Sequence, residues 1–211
     1  MIMSILNNDF LILFCLLLAV IAFLYSSVGH GGASGYLALM ALFSFPIYVI
    51  KPSALLLNLF VSGISFFFYY KKLFFKPKLF YPFTITSVPT AFIGGMIPLE
   101  NNIYKIILGL VLILAALRLL GFFNKTEKEL TKINIPLAMG IGFGIGLLSG
   151  MLGIGGGVIL SPILLILGWA TLKETAAISS LFIFVNSVAG LSGYFLTGKT
   201  VPTESFYLVP I

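Results

Sequence analysis

The sequence predicts an all-α polytopic membrane protein made of two similar halves, and three observations carry that reading. Of its 211 residues 60% are hydrophobic and only 9% are charged, with a mean hydropathy of +1.16; ordinary globular chains carry about 25% charged residues. The apolar residues gather into long runs, and the hydrocarbon core of a bilayer asks about 20 such residues of each spanning helix. A glycine cluster opens each half. Too little polar surface remains to cover a water-facing fold, which excludes a soluble enzyme, a nucleic-acid binder and a secreted scaffold. The net charge of +6 needs no nucleic acid to explain it, because lysines collect in the cytoplasmic loops of membrane proteins. The expected surroundings are a lipid bilayer, crossed several times in the cell membrane.

Taken in order, the apolar segments cover residues 10–25, 33–50, 53–70, 79–97, 103–123, 135–150, 153–168 and 176–197, with a last piece from Ser205. Met1 to Phe10 carries Asp9 and no Lys or Arg, so the first run is expected to be a retained span rather than a signal peptide. Cys15 has no partner cysteine and reads as a small hydrophobe. The polar stretch 124–134 (NKTEKELTKIN) has mixed charge and no apolar period. It separates a first membrane repeat, 1–123, from a second, 135–211.

The repeat rests on two alignments. Gly29-His30-Gly31-Gly32 matches Gly153-Ile154-Gly155-Gly156 at an offset of 124, and Lys51–Phe60 (KPSALLLNLF) matches Lys173–Phe182 (KETAAISSLF) at an offset of 122. Nothing in 205–211 reaches beyond the counterpart of Leu79–Ile85, so the second half is expected to be incomplete, and a second copy of the chain is a candidate partner. Lys71, Lys72, Lys76 and Lys78 form one basic loop; Arg118, Lys125, Lys128 and Lys132 form the next, with Glu100 in a short turn between them. The positive-inside bias puts both basic clusters in the cytoplasm and that turn outside. Lys51 then lies outside. If 10–25 and 33–50 are separate elements the halves are inverted, which is the expected arrangement; one broken span over 10–50 would make them parallel.

The chemistry is expected where each half opens with a short helix, a glycine-rich break and another short helix. Sixteen residues cover about 24 Å at 1.5 Å each, short of the roughly 30 Å core. Interrupted helices at matching places in two halves point to a transporter's midplane site. Unwound backbone in lipid must line a cavity or be packed in protein, and amides freed at the start of a half-helix attract an anion. Gly29, Gly31, Gly32, Gly153, Gly155, Gly156 and Gly157 would supply those amides. His30, the only histidine, could bind an anion or pass a proton. Ser34, Asn58, Ser161, Ser179 and Asn186 would orient its oxygens, or hydrogen-bond between helices instead. Gly140, Gly144 and Gly142, Gly146, Gly150 read as close-packing faces. Lys51 and Lys173 recur at equivalent places, each before a helix with a candidate cap, Ser53 in one case and Thr171 with Glu174 in the other. They would draw anions to opposite mouths of the pathway, or serve as ordinary interfacial lysines.

The run Gly153-Ile154-Gly155-Gly156-Gly157, then Ser161-Pro162 and Ala176-Ala177-x-Ser179-Ser180, resembles the TauE/SafE family of sulfite-exporter-like permeases over nearly the whole chain. That resemblance implies membrane transport of sulfur-containing anions such as sulfite, thiosulfate or organosulfonates, without a cofactor. The carboxylates, Asp9, Glu100, Glu127, Glu129, Glu174 and Glu204, fall in loops or at helix ends, and no P-loop is present. Transport would be passive, or coupled through His30 or a proton on the substrate. Other readings are a permease for a different small solute and a structural membrane subunit. Gly32-Ala33-Ser34-Gly35 also fits an intramembrane serine protease, but a Ser–His dyad needs the base within reach, which Gly31-Gly32 disfavours between His30 and Ser34. One His and one Cys fall short of a metal site. Enzymatic function is not expected.

Overall fold

Proline and glycine set most of the helix boundaries. The computed structural model describes residues 8–27, 33–43, 45–119 and 130–200, and among them the chain is helical, without strands. Eight helices run in order: α1 Asn8–Ser27, α2 Ala33–Leu42, α3 Ile47–Lys71, α4 Pro77–Met96, α5 Asn101–Leu119, α6 Ile135–Leu152, α7 Gly157–Ile166 and α8 Leu172–Leu196. Of these, α3, α6 and α8 are long and apolar enough to cross a membrane.

The apolar segment expected over 33–50 is two elements. Pro46 sits in extended backbone as the N-cap of α3, and the residue before a proline is pushed out of helical geometry. Helix α2 therefore stops at Leu42, and α3 begins four residues earlier than Lys51. Ser53 is not a cap: it is buried inside α3, whose N-cap Pro46 makes no side-chain bond. Pro52 also lies inside α3. Its missing N–H deprives the Tyr48 carbonyl of an intrahelical donor, and the Tyr194 hydroxyl of α8 donates to that carbonyl at 3.4 Å instead. The expected cap of α8 is present, with Thr171 and Glu174 forming a reciprocal capping box.

Small residues bring α4, α6 and α8 into backbone contact. Gly142, Gly146 and Gly150 of α6 face the carbonyls of Phe83, Ser87 and Ala91 on α4, while Gly95 of α4 faces Gly190 of α8 and Gly193 of α8 faces Phe92. The hydroxyls of Thr86 and Thr90 donate across this seam to Met139 (2.7 Å) and Phe143 (3.0 Å) carbonyls. Membrane helices associate through such dispersion contacts and interhelical hydrogen bonds, since lipid is as apolar as leucine. The other small-residue face differs: nothing lies within 4 Å of a Cβ built at Gly140 or Gly144.

Helices α3 and α8 are antiparallel. Tyr48, at the start of α3, accepts from Tyr194 near the end of α8; beyond the other end of α3, Lys76 pairs with Glu174 at 3.5 Å and Phe74 lies under Lys173 at 5.2 Å. Two helical hairpins enter from the two ends so defined. Phe14 of α1 packs on Phe43 and Phe45, each with ring centroids 5.2 Å away, so α1 and α2 close at the Lys51 end. Thr131, before α6, donates to the Gly168 carbonyl after α7 at 2.8 Å, so α6 and α7 close at the Glu174 end. One apolar cluster joins α1, α2 and α5 to the starts of α3 and α7 through Phe14, Tyr36, Ala54, Tyr104 and Ile154. The other joins α4, α6, α7 and α8 through Phe83, Ile145, Leu164 and Phe182.

Candidate functional site

The break between α6 and α7 is built by left-handed backbone. Gly153, Gly155 and Gly156 have φ of 84°, 69° and 79°, a region that costs any residue with a Cβ about 1–2 kcal/mol. Helix α7 has ten residues, about 15 Å at 1.5 Å each, so the break lies roughly half of a 30 Å core from the Glu174 end. Its neighbours agree. Asn58 is the twelfth of 25 residues in α3 and Ile183 the twelfth of 25 in α8. A Cβ on Gly155 would meet Ile183 Cγ2 at 2.6 Å, Asn58 Nδ2 at 3.1 Å and Ser187 Oγ at 3.2 Å.

Polar groups around this break are buried and incompletely paired. The Asn58 amide donates to the Gly153 carbonyl at 3.4 Å, but its Oδ1 has no partner among the described residues, nor do the hydroxyls of Ser149 and Ser187. All three residues are fully buried. The backbone N–H groups of Gly155 and Gly156 donate to no backbone carbonyl among the described residues. Hydroxyls and amides of this kind can stabilise an oxyanion in a water-poor site.

The residues expected to bind substrate separate into groups. Asn58, Gly153 and Gly155 come together, with Gly156 beside them near Ser149. Ser161 and Ser179 are satisfied by each other at 2.7 Å, and Ser161 also donates to the Gly157 carbonyl at 2.7 Å. This pair ties α7 to α8. Asn186 donates to the Phe182 carbonyl in its own helix at 2.9 Å, and its Oδ1 has no partner among the described residues. Gly29, His30, Gly31 and Gly32 lie outside the described residues, as does the side chain of Ser34.

A cavity of about 500 Å³ opens at the Lys51 end, and none of the expected binding residues that are described lines it. Its walls come from the start of α3, the turn and first residues of α5, and the end of α8; Met151 and Gly95 close the inner side. Lys51 is buried, 7% exposed, and donates to the carbonyls of Gly95 (3.0 Å) and Gly94 (3.3 Å). These carbonyls end α4, where the helix dipole is negative and favours a cation. Gly153 lies directly behind, since a Cβ there would stand 3.0 Å from the Lys51 carbonyl oxygen. The cavity floor thus backs onto the glycine break. Lys105 and Lys199 stand exposed on the rim. Sequence reading missed them and Tyr104, since their approach to Lys51 is made by helices distant in the chain.

Apolar spanning helices, a broken helix at mid-depth and a basic cavity leading toward it define a membrane transporter for a small molecule. The chain belongs to the TauE/SafE sulfite exporter family, whose family model, described as "Sulfite exporter TauE/SafE", matches residues 13–211. It is 38% identical over 189 residues to "Probable membrane transporter protein y4hK" of Sinorhizobium fredii (strain NBRC 101917 / NGR234), a match that covers 87% of this chain and 76% of that protein. No solved structure matches it.

Proposed function

We propose that this transporter carries small sulfur-containing anions, sulfite or organosulfonates, across the cell membrane in a multi-pass fold, and that the anion passes the glycine break between α3 and α8. The observation that carries this reading is the set of unpaired donors at mid-depth: the Ser149 and Ser187 hydroxyls, beside the amides of Gly155 and Gly156. A buried polar group without a partner costs about 1–3 kcal/mol. Packing alone would favour alanine at Ser187; a substrate that takes the hydroxyl's hydrogen bond during passage gives a reason for the serine. The family's description as sulfite exporters supports the choice of anion.

The halves act as inverted repeats in this proposal. Supporting it, the two hairpins enter from opposite ends, and the helices carrying KPSALLLNLF and KETAAISSLF are antiparallel. Gly29, His30, Gly31, Gly32 and Ser34 would then provide the second break, facing the first across the midplane.

The test is Ser187→Ala in proteoliposomes, read by radiolabelled sulfite flux and by thermal unfolding of the same preparation. Flux is expected to fall at least tenfold while the unfolding midpoint holds or rises, because alanine removes an unpaired hydroxyl. Unchanged flux would remove Ser187 from the pathway, and a lowered midpoint would make the hydroxyl structural.

A further inference from the structure

We propose that the cavity at the Lys51 end is a separate binding site for an organic anion, with the acid group on Lys51 and a short carbon body against Tyr104, Tyr194 and Leu99. The inference deepens the transport reading and takes from it only that the ligand is an anion.

The first support is the state of Lys51. An ammonium group has three donors, and two of them go to the carbonyls of Gly94 and Gly95. Among the described residues Lys51 forms no ion pair; the pair present, Lys76–Glu174, is at the opposite end of the molecule. Burying a cation without a counter-ion is costly. The α4 carbonyls and the Tyr194 ring, whose centroid is 5.9 Å from Nζ, offset part of that cost but carry no full negative charge. A bound anion would complete the compensation. Lys105 and Lys199 line the same cavity, whose lining among the described residues includes no carboxylate, so the three lysines there favour an anion and raise its local concentration.

The second support is size and lining. About 500 Å³ falls within the roughly 300–1,000 Å³ of sites that enclose small organic ligands, and it far exceeds what a bare inorganic oxyanion fills. The lining also includes aromatic and aliphatic side chains, Phe45, Tyr104, Tyr194 and Leu99, and the Tyr194 ring lies within 6 Å of both Lys51 Nζ (5.9 Å) and Lys199 Nζ (5.8 Å). Tyr104 is held in place by its hydroxyl, which donates to the Leu152 carbonyl at 3.0 Å at the end of α6. That bond ties the cavity wall to the segment leading into the glycine break. The chemistry on offer is one buried cation, two exposed cations at the rim and an apolar lining.

Isothermal titration of the purified full chain in detergent, with benzenesulfonate and with sulfite as probes, tests this. Benzenesulfonate is expected to bind at least tenfold more tightly than sulfite. Lys51→Met is expected to weaken benzenesulfonate at least tenfold, and Lys105→Gln/Lys199→Gln, which alters only exposed rim residues, about threefold with a reduced dependence on salt. If Lys51→Met fails to fold, the double rim variant decides. No binding to the unaltered chain, equal affinity for the two probes, or affinity indifferent to the lysines would overturn the site. Sulfite flux without benzenesulfonate binding would reject this site and leave transport standing. Benzenesulfonate bound through Lys51 without sulfite flux would do the reverse.

Discussion

Gly150→Val is expected to leave little folded protein. A Cβ at Gly150 would overlap the Ala91 carbonyl oxygen and stand 2.7 Å from the Gly95 nitrogen, both on α4. These are backbone atoms of a helix also pinned to α8 through Gly95 and Gly190, so neither can retreat as a side chain would. Overpacking in ordinary cores costs about 1–3 kcal/mol; separation of two rigid helices belongs at or above the upper end of that range. The control is Gly144→Ala on the same helix, where nothing lies within 4 Å. There alanine should gain about 0.5–1 kcal/mol from the helix alone. Thermal unfolding of both variants in one detergent, with size-exclusion chromatography for the folded fraction, checks the pair. Equal effects at the two positions would contradict the packing described for α4 and α6.

Gly156→Leu is expected to have the second large effect, and for a reason unrelated to any anion. Gly156 is in the left-handed region, and a Cβ there would meet Ile145 Cγ2 at 2.7 Å and Phe182 Cε1 at 2.9 Å. Both neighbours belong to the apolar cluster between α6 and α8. The conformational penalty of about 1–2 kcal/mol therefore adds to an overlap inside a packed core. Gly198→Ala separates the two costs, because Gly198 has φ of 74° with nothing within 4 Å of its Cβ position. It should lower the unfolding free energy by about 1–2 kcal/mol, whereas Gly156→Leu should lose the folded chain. A Gly156→Leu protein that unfolds at the unaltered temperature would show that the break adapts, contrary to the packing seen here. Because this variant fails by folding, lost flux in it is not a measure of anion binding; Ser187→Ala is the cleaner probe.

The fold was legible where local chemistry decides it. The glycine cluster interrupts the helix through left-handed backbone at Gly153, Gly155 and Gly156, with Gly157 already opening α7, and Thr171 with Glu174 forms the expected capping box. Where partners decide, the sequence was silent. Gly140 and Gly142 look equivalent in a string of small residues, but only the face of Gly142, Gly146 and Gly150 meets another helix. Pro46 and Pro52 compete as boundaries of one apolar run, and the choice falls to Pro46 because α8 supplies a hydroxyl for the carbonyl that Pro52 frees. Lys51 was legible as a lysine near a helix start. Its burial against the end of α4, and its company with Lys105 and Lys199, depend on antiparallel packing that residue spacing does not encode. Ser149 carries no motif; only its burial without a partner beside the glycine break draws notice.

The measurement that bears most directly on the central claim is radiolabelled sulfite uptake into proteoliposomes containing the unaltered chain, with empty vesicles as the baseline. Uptake is expected to saturate with sulfite concentration and to be competed by an added organosulfonate. A chain verified as folded in the bilayer, yet moving sulfite no faster than empty vesicles, would contradict it.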